Sequence, residues 1–300
     1  MKIILQAIFL ISTFYYRSFG QDAPPATDIW LLKLQKTETN AYEVSNYKKI
    51  TDNPGYDNQP YFLPSLNSLL YVSDKNQNQT DIYQFYFATG TSKKVLSTEY
   101  YKEYSPMLSY DGDKISCISI EPDNSSQRFW EFPFSGGIGK PLFPDVTDVG
   151  YYCWLDEDQV AFFRLGKTTN TIHIANISSS DMQKLDDDAG RCIQKARNHN
   201  WMYYVKKYDS LNWKIKCYDI GKSLVIGEIP LPQGQEDFTV GPNDAIWLSA
   251  DGKVLEASVQ NPKWKTVFDF SNMPFKNFYR ITYSPEYNML ALVTYDGKKP

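Results

Sequence analysis

Read as a pattern of apolar and polar positions, the chain is a succession of short apolar runs, each ended within a few residues by Pro, Asp, Asn or Gly. Six of these runs recur: "LLYVS" from Leu69, "KISCIS" from Lys114, "VAFFR" from Val160, "MYYVKK" from Met202, "AIWLS" from Ala245 and "LALVTY" from Leu290. Their spacing is roughly 42–46 residues, the length of a four-stranded propeller blade. Each run follows a turn ("LPSLN", "SYDGD", "LDEDQ", "RNHN", "GPNDA", "SPEYN"), and before the turn lies another strand-like run such as "QPYF", "SPML", "YYCW" or "YRITY". Two runs joined by a tight turn predict a hairpin.

A third run follows the first five hairpins: "DIYQFYF", "RFWEFPF", "TIHIANI", "KIKCYDI" and "KVLEASV". The sixth hairpin ends at Tyr295, close to the last residue, Pro300. Its missing third strand is "DIWLLKL", from Asp28, and its fourth is the stretch around "AYEVSNYKKI". The pattern therefore predicts an all-β fold, a six-bladed β-propeller of four-stranded antiparallel blades whose last blade is closed by the N-terminal strands. Closure of the ring removes the exposed sheet edges that template aggregation.

Residues 56–90, "YDNQPYFLPSLNSLLYVSDKNQNQTDIYQFYFATG", resemble the periplasmic WD-type propeller repeat of TolB-like proteins, through Pro60, Pro64, Tyr71, Ser73, Asp81, Ile82 and Tyr83. "YSPMLSYDGDKISCIS" matches next, through Pro106, Asp111 and Gly112, and "YSPEYNMLALVTYDG" is a third copy. The resemblance covers the mature chain as architecture and three repeats as motif. It implies a propeller outside the cytoplasm, without the N-terminal α/β domain of TolB itself.

Composition agrees with an all-β reading, with 23 tyrosines and frequent Asn, Asp, Gly and Pro. Residues 1–20 read as a signal peptide: Lys2, an apolar stretch too short for a bilayer span, then Ser18 and Gly20 ahead of a cleavage site. Residues 21–300 are then a single propeller domain, periplasmic or secreted, with no later transmembrane segment. The formal charge of −4 moves to about −6 once the leader is removed, which excludes nucleic acid as a partner. Four cysteines, Cys117, Cys153, Cys192 and Cys217, allow three fully paired connectivities in an oxidising compartment, with buried free thiols as the other possibility.

No catalytic signature is present: no nucleophile elbow, P-loop or dinucleotide fingerprint, and only two histidines, His173 and His199, in separate repeats. The expected catalytic and metal sets are empty. Calcium is the one cofactor to consider, at the start of "DKNQNQTD" or at the triplet Asp186, Asp187 and Asp188. The first lacks the Gly and Glu that an EF-hand needs, which leaves Asp81 as an Asx-type turn residue. The second reads equally as solvated charge.

The collective signal lies in the segments joining one blade to the next, expected to gather at one end of the central channel. They carry Asp57, Glu103, Asp148, Asp186, Asp187, Asp188, Glu236 and Asp237 together with Tyr100, Tyr101, Tyr151 and Tyr279. Only Lys102, Arg191, Lys276 and Arg280 stand against the acids. An acidic, aromatic rim suits a protein or peptide partner of the cell envelope, or a glycan stacked on tyrosine faces. The expected function is non-catalytic recognition. The alternative is binding or cleavage of an envelope polysaccharide by rim carboxylates.

Overall fold

A computed structural model describes residues 25–38, 41–75 and 79–295. The predicted signal peptide, and Asn76 and Asn78 of the calcium-like loop, lie outside these residues. The chain enters with β1 (Thr27–Lys36) and β2 (Tyr42–Lys49). Blade 1 follows as β3 (Asp57–Leu63), β4 (Ser68–Ser73), β5 (Asp81–Tyr86) and β6 (Thr91–Leu96). Blade 2 is β7 (Lys102–Leu108), β8 (Lys114–Ile120), β9 (Gln127–Pro133) and the two-residue β10 (Lys140–Pro141). Blade 3 is β11 (Val149–Trp154), β12 (Gln159–Arg164), β13 (Thr171–Asn176) and β14 (Met182–Asp187). Blade 4 is β15 (Ala189–Lys195), β16 (Trp201–Lys207), β17 (Trp213–Asp219) and β18 (Leu224–Pro230). Blade 5 is β19 (Phe238–Val240), β20 (Ile246–Ala250), β21 (Lys253–Ala257) and β22 (Lys265–Asp269). The last hairpin is β23 (Phe278–Ser284) and β24 (Met289–Tyr295).

Blade 6 has the order β2-β1-β24-β23, so the N-terminal strands complete it as the repeat pattern predicts. Thr27 pairs with Tyr295 and Lys33 with Met289 along the seam. The near-continuous apolar reading of "DIWLLKL" has a packing cause, since a propeller strand is covered on both faces. Ile29 and Leu31 face blade 1, beside Phe62 and Tyr71. Leu32 and Leu34, one register step away, face Trp247 and Phe268 of blade 5. The core is accordingly six apolar clusters, one at each blade–blade interface.

The four cysteines are buried free thiols. Cys153 belongs to the interface of blades 3 and 4, and Cys192 to that of blades 4 and 5. Burial pushes the Cys153 thiol up to about 12, well away from a reactive thiolate. No helix among the described residues is long and apolar enough to cross a membrane.

The pairing of innermost and second strands breaks register in five blades: between Asn58 and Tyr61, Tyr104 and Met107, Val149 and Tyr151, Ala189 and Ile193, and Phe278 and Arg280. Such bulges bend a strand and re-aim its side chains. Gln59 and Ser105 stand at equivalent points of two of them, each with φ of 53° in the left-handed region. At the fourth, Gly190 is required by close approach: a Cβ there would lie 2.6 Å from Val205 and 2.7 Å from the Glu236 carboxylate.

Candidate functional site

The innermost strands surround a central cavity of about 760 Å³. Apart from Asp237, just ahead of β19, every lining residue lies on an innermost strand or on the turn to the second strand. None lies farther out on the blade-to-blade segments, so the cavity opens on the face opposite to the one carrying them.

Its floor is built where the bulges turn side chains inward. The Asp237 carboxylate is held between two guanidiniums: Arg191 Nη2 and Nε donate to it, the latter at 3.3 Å, and Arg280 Nη2 donates at 3.3 Å. Arg280 Nη1 also donates to Asn58 Oδ1 at 2.6 Å, and the Asn58 amide donates to the Tyr279 hydroxyl. Burial alone would raise the Asp237 pKa, but Arg280 and Arg191 outweigh it and hold the group below the carboxylate range. Tyr56, Tyr151 and Tyr279 lie in the electrostatic field of Arg280, and the Tyr56 ring meets Tyr104 at 6.2 Å. All six blades thus contribute to one polar, aromatic plug. Above it, blades 1 to 3 supply an apolar wall with Pro60, Tyr61, Pro106, Met107 and Trp154, and blade 4 a cationic one with Lys195 and Arg197. Tyr110, 59% exposed, and Leu66, 46% exposed, stand at the mouth.

Of the residues expected at an acidic rim, only Tyr151 and Asp237 line this cavity. The rest are distributed by packing. Asp57 and Glu103 are strand residues, in β3 and β7, and are fully buried. Both Asp57 carboxylate oxygens and Glu103 Oε2 lack a hydrogen-bond partner, as do the neighbouring Ser73 and Thr80 hydroxyls. Burial pushes Asp57 up to about 7 and Glu103 up to about 8. Asp186 and Asp187 belong to β14 rather than to a loop. Asp186 takes Lys206 at 2.9 Å, Lys216 at 2.7 Å and the Tyr204 hydroxyl at 2.9 Å. Asp187 pairs with Lys184 at 3.0 Å, and Asp188, in the left-handed region at φ 48°, lies 3.6 Å from Lys206 and accepts from Thr169. Asp148 takes Arg164 at 2.7 Å, and Glu236 takes Lys207 at 3.2 Å. Tyr279 stacks on Tyr295 at 4.2 Å, and Tyr101 meets Trp130 edge-on at 5.7 Å. Tyr100 is the most exposed of the tyrosines, at 73%, with its hydroxyl bonded to Glu99.

The acidic rim is therefore largely neutralised by lysines and arginines of the strands behind it. Asp186→Asn is expected to lower stability by about 1–3 kcal/mol, because two lysines lose a half-buried acceptor. Urea unfolding measures it, and an unchanged midpoint would mean that Asp186 is merely solvated. Asp81 likewise caps no turn: it is buried and takes Lys94 at 3.1 Å. Among the described residues no three His, Cys, Asp or Glu side chains gather as a metal site.

No family model and no curated sequence matches the chain. Solved structures share its fold. TolB from Acinetobacter baumannii superposes with a TM-score of 0.58 at 13% identity, over 91% of this chain and 65% of that one, so this chain spans under two thirds of that relative. The Agrobacterium tumefaciens protein assigned as a TolB gives 0.67 at 15% identity, over 92% and 100%. An oligogalacturonate lyase in complex with manganese gives 0.57 at 13%, over 85% and 82%. At these identities the likeness carries the fold, a six-bladed propeller of the TolB-like kind.

Proposed function

We propose that this TolB-like propeller is a periplasmic or secreted recognition scaffold, and that it takes an extended segment of a partner protein into the open end of its central cavity. The observation that carries this reading is the cavity itself. It is floored at one end, and its volume falls within the ~300–1,000 Å³ of ligand sites. An apolar wall faces a few convergent polar groups, the usual division between affinity and orientation. Its innermost strands run up to seven residues, so at ~3.3 Å per residue the channel accommodates about seven residues of extended chain. The exposed rim is the weaker candidate, because its carboxylates already have partners.

Binding of unstructured seven-residue peptides, followed by fluorescence anisotropy, separates the two faces. Tyr110→Ala combined with Leu66→Ala, both at the mouth, is expected to weaken binding about tenfold. Asp187→Asn, Asp188→Asn and Tyr100→Ala on the opposite face are expected to leave it unchanged. The reverse result would move recognition to the acidic, aromatic rim. A second reading, binding of an anionic polysaccharide, draws on the shared fold of the oligogalacturonate lyase and on the cationic side of the same cavity.

A further inference from the structure

The charge of the cavity is opposite to that of the chain. Its lining holds Arg191, Lys195, Arg197 and Arg280 against Asp237 and Glu286, within a protein whose formal charge is −4. At the floor two guanidiniums share a single carboxylate, so one positive charge remains uncompensated there. Higher up, the Arg197 guanidinium donates only to backbone carbonyls, of Val240, of Gly241 at 3.4 Å and of Tyr283 at 2.9 Å. The nearest acid, Asp244, spends its oxygens on the backbone amides of Arg197 and Asn198 and on the His199 ring. Lys195 has only a long contact, 3.5 Å, to Asn200.

A blind channel admits a chain end more readily than the middle of a chain, since a through-running segment needs a second exit. A positive floor selects which end, because an α-carboxylate is attracted to it and an α-ammonium is repelled. Resting on the reading that the cavity holds a peptide, the geometry points to recognition of a C-terminus: the free α-carboxylate of a partner chain seated against Arg191 and Arg280, with the preceding side chains against Tyr61, Pro106, Met107 and Trp154. Arginine suits this role because it carries five N–H donors and a fixed charge: the Nε–Nη2 side of Arg191 is taken by Asp237, and Nη1 is left for an incoming carboxylate. Capture of a terminal carboxylate is also an established mode of peptide recognition. Asp237 and Asn58 hold both guanidiniums in place, so little ordering is lost when their remaining N–H groups, Arg191 Nη1 first among them, meet a ligand.

The test uses one pool of seven-residue peptides with an aromatic residue next to last, made as free acids and as C-terminal amides. Binding to the intact chain is measured by anisotropy. The free acids are expected to bind about tenfold or more tightly than the amides. In Arg191→Met that advantage should collapse while amide binding stays as it was. This variant leaves Asp237 and Arg280 as a balanced pair, and Lys195→Met, a wall substitution, serves beside it as a control for general loss of charge. Amides that match the free acids, with binding still lost in the Tyr110→Ala, Leu66→Ala variant, would overturn recognition of a terminus and leave the cavity as a peptide site. If neither pool binds and a trigalacturonate does, the peptide reading fails and this inference fails with it.

Discussion

Between pH 4 and pH 8 the stability of Asp57→Asn is expected to pull away from that of the parent by roughly 4 kcal/mol, and Glu103→Gln by a similar amount. The cause is the burial of both carboxyls, Asp57 with neither oxygen hydrogen-bonded and Glu103 with only Oε1 taken, by the Thr98 hydroxyl. Removal from water dominates the rise of Asp57 to about 7, with Asp28 adding to it and Ser73, Lys75 and Thr51 opposing it. For Glu103, at about 8, removal from water again dominates, with Asp81 adding and Thr98 opposing. Both folded-state values lie above the unfolded ones, which fixes the sign. Below pH 4 both states hold the proton and the stabilisation is complete. As pH rises the unfolded chain releases its protons first, and folded stability falls until the buried groups themselves ionise near pH 7 and 8. Each tenfold change in proton affinity is worth about 1.4 kcal/mol, hence the magnitude. Against a typical total of about 5–15 kcal/mol, two such sites make the parent markedly alkali-sensitive. Urea midpoints across the pH range give the answer. Curves that stay parallel would show that the carboxyls are hydrated or paired in solution.

Deletion of residues 27–49 is expected to abolish the cooperative fold. β1 places Ile29 and Leu31 in one blade interface and Leu32 and Leu34 in the other. At ~1.5–3 kcal/mol for each fully buried side chain, these four alone contribute about 6–12 kcal/mol, comparable to the whole stability of a domain. The deletion also strips β24 of its partner and leaves a free strand edge between two widened interfaces. Size-exclusion chromatography and a thermal melt test this. A monomer that still melts in one sharp transition would mean that the other five blades hold the ring without the seam.

The fold was legible because its signals are local. A buried strand must be apolar over several residues and a hairpin must turn, so run, turn and run repeat in the sequence wherever a blade repeats. The split blade was legible for the same reason, since "DIWLLKL" is a third strand wherever it stands. The site was not, because charge pairing is not local. Asp186 is neutralised by Lys216, thirty residues and three strands on, in the next blade, and Asp237 by Arg191 and Arg280 from two other blades. A census of acids on connecting segments counts the carboxylates and misses their partners. One sequence signal did mark the exception: Asp57 and Glu103 each stand three residues before a proline, Pro60 and Pro106, which identifies them as repeat positions rather than rim residues. The cavity wall depends on bulges, and nothing in the apolar pattern announces these before the strands are paired.

The seam between Asp28 and Thr294 also has a meaning in time. A ring joined by its two ends has a very high contact order, and contacts of that range form late. At ~5–20 residues per second, the ribosome needs about 13–50 s to make the partner strand after β1 has emerged. Throughout that interval β1 has only β2 for a partner, and the edge and apolar faces it offers to β24 and the neighbouring blades stay uncovered. The sequence spaces it from the next apolar run with the charged, exposed β2 segment, "YEVSNYKK". Such a chain is suited to staying open until its last hairpin has been made.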